Sequence, residues 1–200
     1  ILVPSASPVR SLAELRGRSV ALNKGSNVHY FLAKALEREH VAYAEVKVVF
    51  LPPADARAAF EKGTVDAWAI WDPYLAAAVA AAGARVLATA EQIAPNYQFY
   101  VSRRSFATAH PELLELLNKQ VGVTDAWILQ HRAETAAFLA TQLNLDLSTS
   151  ERSIARAAFG VRPIDDEVLN SQQRVADTFL ALGLLQSPLW VRDAVPPHRP

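Results

Sequence analysis

Over the first ninety residues, apolar runs of strand length alternate with segments of helical period. Residues 1–3, 19–22, 46–51, 65–70 and 85–88 are short, largely apolar stretches bounded by turn residues, the pattern of buried strands. Between the second and third, Val28, Phe31, Leu32, Ala35 and Leu36 recur at i, i+3, i+4, i+7 and i+8, which predicts a helix over 27–39. Pro52-Pro53 opens another helix that ends near Gly63, and Asp72-Pro73 opens one over 73–82 that Gly83 stops. Ser11 and Glu14 have capping-box spacing for a short helix over 11–15. Such alternation of strand and helix predicts a parallel-rich α/β sheet with helices on both faces.

Past Pro95 the pattern changes. Residues 97–102 alternate like a strand leading out of the sheet, with Tyr97 and Phe99 on one face. Helical period then dominates over 111–130, 132–143, 150–159 and 165–182, with Gly160, Pro163 and Gly183 as punctuation. The expected organisation is an α/β lobe over 1–103 followed by a C-terminal helical segment over 104–200, its tail at 195–200 frayed.

Composition narrows the function. Twenty basic and twenty acidic residues cancel, so no global field recruits nucleic acid or an anionic membrane, and any anion must be recognised locally. No apolar run approaches the roughly 18 residues of a spanning helix, so direct membrane insertion is not expected. The chain holds neither cysteine nor methionine. The first absence removes disulfides, thiolate metal sites and cysteine nucleophiles. The second suggests a processed or truncated product whose export signal would lie upstream.

Two strand-to-helix junctions carry the candidate chemistry. Asn23-Lys24-Gly25-Ser26-Asn27 turns from a strand into the helix over 27–39, with Ser26 or Asn27 as its natural cap. A helix N-terminus offers unsatisfied N–H groups and roughly half a positive charge, which suits an anion, and His29 in the first turn is expected to face the same space. At the second junction Trp71 ends a strand, where open α/β sheets bind ligands, and Asp72 is placed to cap the next helix. In one parallel sheet the two junctions point at one crevice.

Other features read as structural. His29, His40, His110, His131 and His198 lack partners at metal-ligand spacing, so neither a metal nor a catalytic role is predicted. The glycines form no phosphate-binding fingerprint, and no cofactor is expected. Asp165 and Asp166 suit a helix start, and Arg103-Arg104 suits a solvated or carboxylate-paired element. Asn96 and Tyr97 are candidates for the border of the crevice.

Three blocks carry a resemblance: Lys24-Gly25-Ser26-Asn27-Val28-His29-Tyr30, the stretch from Leu51 to Phe60, and the stretch from Val65 to Tyr74. In sequence and order they resemble the aliphatic sulfonate-binding proteins of ABC importers, and the similarity continues through residues 96–100 and 165–184. Taurine-binding relatives are similar through Ser26, His29 and Tyr30 and through Trp71-Asp72-Pro73. The resemblance implies a periplasmic-binding-protein type II lobe and an extracytoplasmic, periplasmic protein that delivers a small organosulfonate anion to an ABC permease. It implies that Ser26 and Asn27 meet the sulfonate oxygens, that His29 lies beside them, that Trp71 covers the organic part and that Asp72 fixes its junction. Sulfonate, taurine, nitrate and larger sulfate esters all remain open as ligands.

Two enzyme families resemble the same fold. One is an aromatic sulfinate desulfinase, which relies on a cysteine. The other is a thiamine-pyrimidine synthase, which requires metal-binding and cofactor-modified histidines. A sensor or a non-binding fragment is a third reading. The N-terminal third of the family pattern has no counterpart here, so millimolar or undetectable binding of short alkanesulfonates is expected. An uncovered apolar surface at Leu113, Leu114, Leu116, Leu117, Val121, Val123 and Trp127 is expected to drive self-association.

Overall fold

Strand β2 (Ser19–Leu22) lies near the middle of the sheet and sets its plan. It pairs in parallel with β3 (Lys47–Phe50) and with β4 (Ala67–Trp68). Beyond β4, strand β1 (Leu2–Val3) runs antiparallel between β4 and β5 (Arg85–Val86), giving the order β3-β2-β4-β1-β5. This computed structural model describes residues 1–195. His198 and all but the first residue of the expected tail lie outside them.

Strand periodicity sorts the core into two layers. Val20 and Leu22 of β2, with Ala67 and Ala69, point to one face. There they meet Val28, Phe31, Leu32, Ala35 and Leu36 of α1 (Asn27–Arg38). Ala21, Trp68 and Ile70 point to the other face, against Ala56 and Phe60 of α2 (Pro53–Glu61) and Ala78 of α3 (Tyr74–Ala81). Burial on both faces is why these strands read as continuous apolar runs.

The amino-terminal edge of the parallel strands is clasped by Asp66. Its carboxylate accepts from the Ser19 N–H at 2.8 Å and the Ser19 hydroxyl at 2.7 Å, and Arg18 lies 3.4 Å away. The Ser19 backbone bond first, with help from the Ser19 hydroxyl and Arg18, holds this carboxyl below its ordinary value. Asp66→Ala should therefore cost about 1–2 kcal/mol at neutral pH, the partial exposure of the carboxylate reducing the larger figure for charged hydrogen bonds. Because the folded-state value is depressed, that contribution is present above the ordinary carboxyl range and lost as pH falls through the folded value. Urea unfolding of parent and variant at neutral and acid pH should show the difference shrinking in acid.

The chain divides into two compact units. The first contains Ile1–Asn96 and Val175–Pro188, the second Tyr97–Arg174 and the chain from Leu189. The expected division at 103/104 is thus displaced in two places. The second half of α8 (Asp166–Ala181) returns to the first unit because its Val175 and Phe179 pack on the α1 layer.

Within the second unit the chain forms α4 (Arg104–Ala109), α5 (Pro111–Gln130), α6 (Arg132–Leu143), α7 (Leu147–Arg156) and the start of α8. Asp146 caps α7, accepting from the Thr149 N–H at 2.8 Å and its hydroxyl at 2.6 Å. Hydrogen bonds from Thr149 and Ser148 hold its carboxyl down to about 2. Asp165 takes the corresponding role in α8, accepting from the Val168 N–H at 2.9 Å. Residues 97–102 form no strand, contrary to their alternation, because a ladder needs a neighbouring strand and none pairs with them among the described residues. Side chains hold Tyr97 instead: its hydroxyl donates to Glu167 at 3.1 Å, and the Arg162 guanidinium lies 5.4 Å from its ring. Leu113, Leu116, Leu117, Val123 and Trp127 of α5 are exposed. Among the described residues, no helix is long and apolar enough to cross a membrane.

Candidate functional site

At their carboxyl ends, neighbouring strands β2 and β4 send the chain to opposite faces of the sheet. From β2 it enters α1 in one layer, and from β4 it enters α3 in the other. A crevice opens where adjacent strands part company in this way, and ligands of open α/β sheets bind there. The turn 23–26 follows the carboxyl end of β2, and the junction 70–73 follows that of the adjacent parallel strand β4.

The first junction is shaped by hydrogen bonds. Gly25 adopts φ +72°, a left-handed conformation that glycine enters without steric cost. Of the two cap candidates it is Ser26 that occupies the cap position of α1, but its side chain does not cap. The hydroxyl donates instead to the Asn23 carbonyl at 2.6 Å. The Ser26 carbonyl takes the His29 and Tyr30 N–H groups at 3.1 and 3.3 Å. The N–H groups of Asn27 and Val28 precede the first intrahelical bond and have no protein acceptor among the described residues. No acidic side chain occupies the first turn. The positive end of a twelve-residue helix is thus left open. Asn27 is exposed, and its side-chain amide donates to Asn96 at 3.0 Å, which places Asn96 at this junction.

His29 does not face the crevice space. It is fully buried and both ring nitrogens are engaged, Nδ1 with the Gly25 N–H at 3.1 Å and Nε2 with the Tyr43 hydroxyl at 2.6 Å. The ring is enclosed instead between Phe50 at the end of β3 and Phe179 of α8, whose ring centres lie 5.3 and 5.4 Å from the imidazole. Burial, then the charge of Lys24, lowers the His29 pKa, and burial pushes the Tyr43 hydroxyl up to about 12.

The second junction is built around Trp71. It is half-buried and packs against both apolar layers, whereas Trp68, three residues earlier, is fully buried. Asp72 holds the start of α3 differently from the expected cap. The helix begins at Tyr74, one residue later than Pro73, and the Asp72–Pro73 peptide is cis. The Asp72 carboxylate reaches past Pro73 to accept from the Ala76 N–H at 3.1 Å. Beside the first junction, Phe50 ends β3 opposite Leu22, is 43% exposed, and has the Lys24 ammonium 5.4 Å from its ring centre. Neither Phe50 nor Tyr43 stands out in the sequence. The parallel register of β3 on β2 and the His29 contact reveal them.

Helices on both faces of an open sheet of order β3-β2-β4-β1-β5 give an α/β lobe with the periplasmic-binding-protein fold. The NMT1-like family profile matches residues 8–144, and the chain belongs to that family. An aliphatic sulfonates-binding protein of Escherichia coli strain K12 is 33% identical over 196 residues, covering 98% of this chain and 61% of the relative. The crystal structure of the periplasmic aliphatic sulphonate binding protein SsuA from Escherichia coli matches with a TM-score of 0.89 at 33% identity. That match covers 97% of this chain and 63% of the other. The alkanesulfonate-binding protein SsuA from Xanthomonas axonopodis pv. citri, solved bound to MOPS, matches with a TM-score of 0.90 at 36% identity, over 96% and 67%. The chain therefore spans 61–67% of the length of these relatives.

Proposed function

We propose that the chain is the anion-recognising part of an extracytoplasmic solute-binding protein, one that captures small organosulfonates for an ABC permease. The observation that carries this reading is the open amino end of α1. The Ser26 hydroxyl turns to the Asn23 carbonyl and leaves the Asn27 and Val28 amides free at the crevice. Sulfonate oxygens accept from these amides, and the organic substituent lies against Trp71. Asn27 and Asn96 border the anion, and Asp72 fixes the Trp71 wall through α3. His29 acts from beneath the turn rather than by touching the ligand. The names of the relatives support the ligand class and the extracytoplasmic setting.

Binding rather than turnover fits these groups, which are hydrogen-bond donors and an aromatic face. The test is an amide-resolved NMR titration of the chain with ethanesulfonate, nitrate and the uncharged ethyl methyl sulfone. Ethanesulfonate should shift the Asn27 and Val28 amides and the Trp71 indole saturably, in the millimolar range. Nitrate should move the amides without the indole, and the sulfone should move neither. Ethanesulfonate shifts confined to other parts of the chain would overturn the assignment.

A further inference from the structure

The turn that frees the Asn27 and Val28 amides has open space beside Gly25, where an added Cβ would find nothing within 4 Å. Hydrogen bonds hold it: Ser26 to the Asn23 carbonyl, and the Gly25 N–H to His29 Nδ1 at 3.1 Å. The second of these determines the imidazole's protonation. A nitrogen that accepts from an N–H carries its lone pair there, so the ring proton sits on Nε2. Nε2–H then donates to the Tyr43 hydroxyl oxygen at 2.6 Å. One fully buried ring thus ties the turn to the 3-10 turn Tyr43–Glu45. Phe50 and Phe179 close over it, with centroids at 5.3 and 5.4 Å.

We infer that His29 and Tyr43 are positioning residues for this turn, holding its amides at the crevice only while His29 is neutral, so that anion capture is sensitive to protons. The inference rests on the reading of the α1 amino end as the anion site. A proton on Nδ1 would face the Gly25 N–H and remove the bond. The titratable groups facing the ring are Lys24 from the turn and Tyr43, while β3 and α8 contribute Phe50 and Phe179. Lys24 is positive, so it opposes the imidazolium, as does burial, and both hold His29 below its ordinary value of 6.5. The unfolded chain takes up this proton at a higher pH than the folded one. The contribution to stability is therefore full above the ordinary value and falls as pH drops below it, levelling off once the folded value is passed.

The first test needs no ligand. Nitrogen-15 spectra of His29 in the unmodified chain should show the Nε2–H tautomer at neutral pH. As the ring takes up its proton on acidification, the Gly25, Asn27 and Val28 amides should move with it. An Nδ1–H tautomer, or amides that ignore the titration of His29, overturns the inference. Tyr43→Phe, which removes only the hydroxyl, should raise the share of the other tautomer and shift the Gly25 amide. An unchanged tautomer population counts against the pair.

Ethanesulfonate binding then supplies the second readout, expected to be about tenfold weaker at the acid end than at neutral pH. His29→Gln keeps a donor and an acceptor without a titrating ring and should flatten that pH profile. A profile that stays equally steep overturns the link to His29. If the amides track His29 while ethanesulfonate binds at no pH, the positioning role stands and the sulfonate reading fails.

Discussion

Replacing Trp68 with alanine lowers the unfolding free energy by about 3–5 kcal/mol, a large share of the roughly 5–15 kcal/mol that holds a protein of this kind together. Trp68 is the largest fully buried side chain and the centre of the layer between β4, α2 and α3. Its ring meets Phe60 at 5.8 Å and Tyr74 at 6.3 Å between centroids. Truncation removes these contacts and leaves a cavity that the sheet backbone cannot close. Trp68→Phe separates ring packing from hydrogen bonding. The buried indole N–H has no acceptor among the described residues, so the phenylalanine variant removes an unsatisfied donor while keeping an aromatic ring. It should lose clearly less stability than the alanine variant in urea unfolding. Equal losses would mean that the indole N–H matters and that the packing argument is wrong.

The second expected result separates stability from ligand capture. Asn27→Asp places a carboxylate at the first residue of α1, where the helix dipole favours it by about 0.3–1 kcal/mol. The lost hydrogen bond to Asn96 offsets this by a similar amount, so the melting temperature should barely move. Ethanesulfonate binding should fall by about 10- to 100-fold, or about 1.4–2.8 kcal/mol. Two like charges about 4 Å apart repel by about 4 kcal/mol near a protein surface, and solvent and salt at this exposed position reduce that figure. Asn27→Ala keeps the backbone amides and should lose much less. An aspartate variant that binds as well as the parent would move the anion away from α1.

The strand runs, the helix from Asn27 and the long helices at Pro111–Gln130 and Arg132–Leu143 were legible because period, cap and breaker residues agreed in each. Residues 97–102 have the alternation of a strand but lack a partner, and alternation reports faces rather than pairing. His29 was misplaced for a related reason. The pattern Val28, Phe31, Leu32 identifies the side of α1 that meets the sheet. His29 is enclosed by Phe50 of β3 and by Phe179, about 150 residues later, and nothing local to α1 announces that cover. Ser26 shows the limit at finer scale. The sequence leaves Ser26 and Asn27 as cap candidates, and the direction of the Ser26 hydroxyl bond depends on the left-handed Gly25 turn before it. The same bond decides whether the amides are open.

The clasp of Asp66 on Ser19 lies at the amino edge of the parallel strands, and the crevice lies at their carboxyl edge. Selection on folding and selection on ligand choice therefore act on different residues of the same strands. On the proposed reading, a change at Asn27, Phe50 or Trp71 would redirect which anion is taken, since Asn27 and Phe50 are exposed and Trp71 is only half-buried. A change at Asp66 cannot do so without first weakening the sheet. On that reading, new specificities can accumulate by drift and selection at one rim while the other rim keeps the scaffold standing.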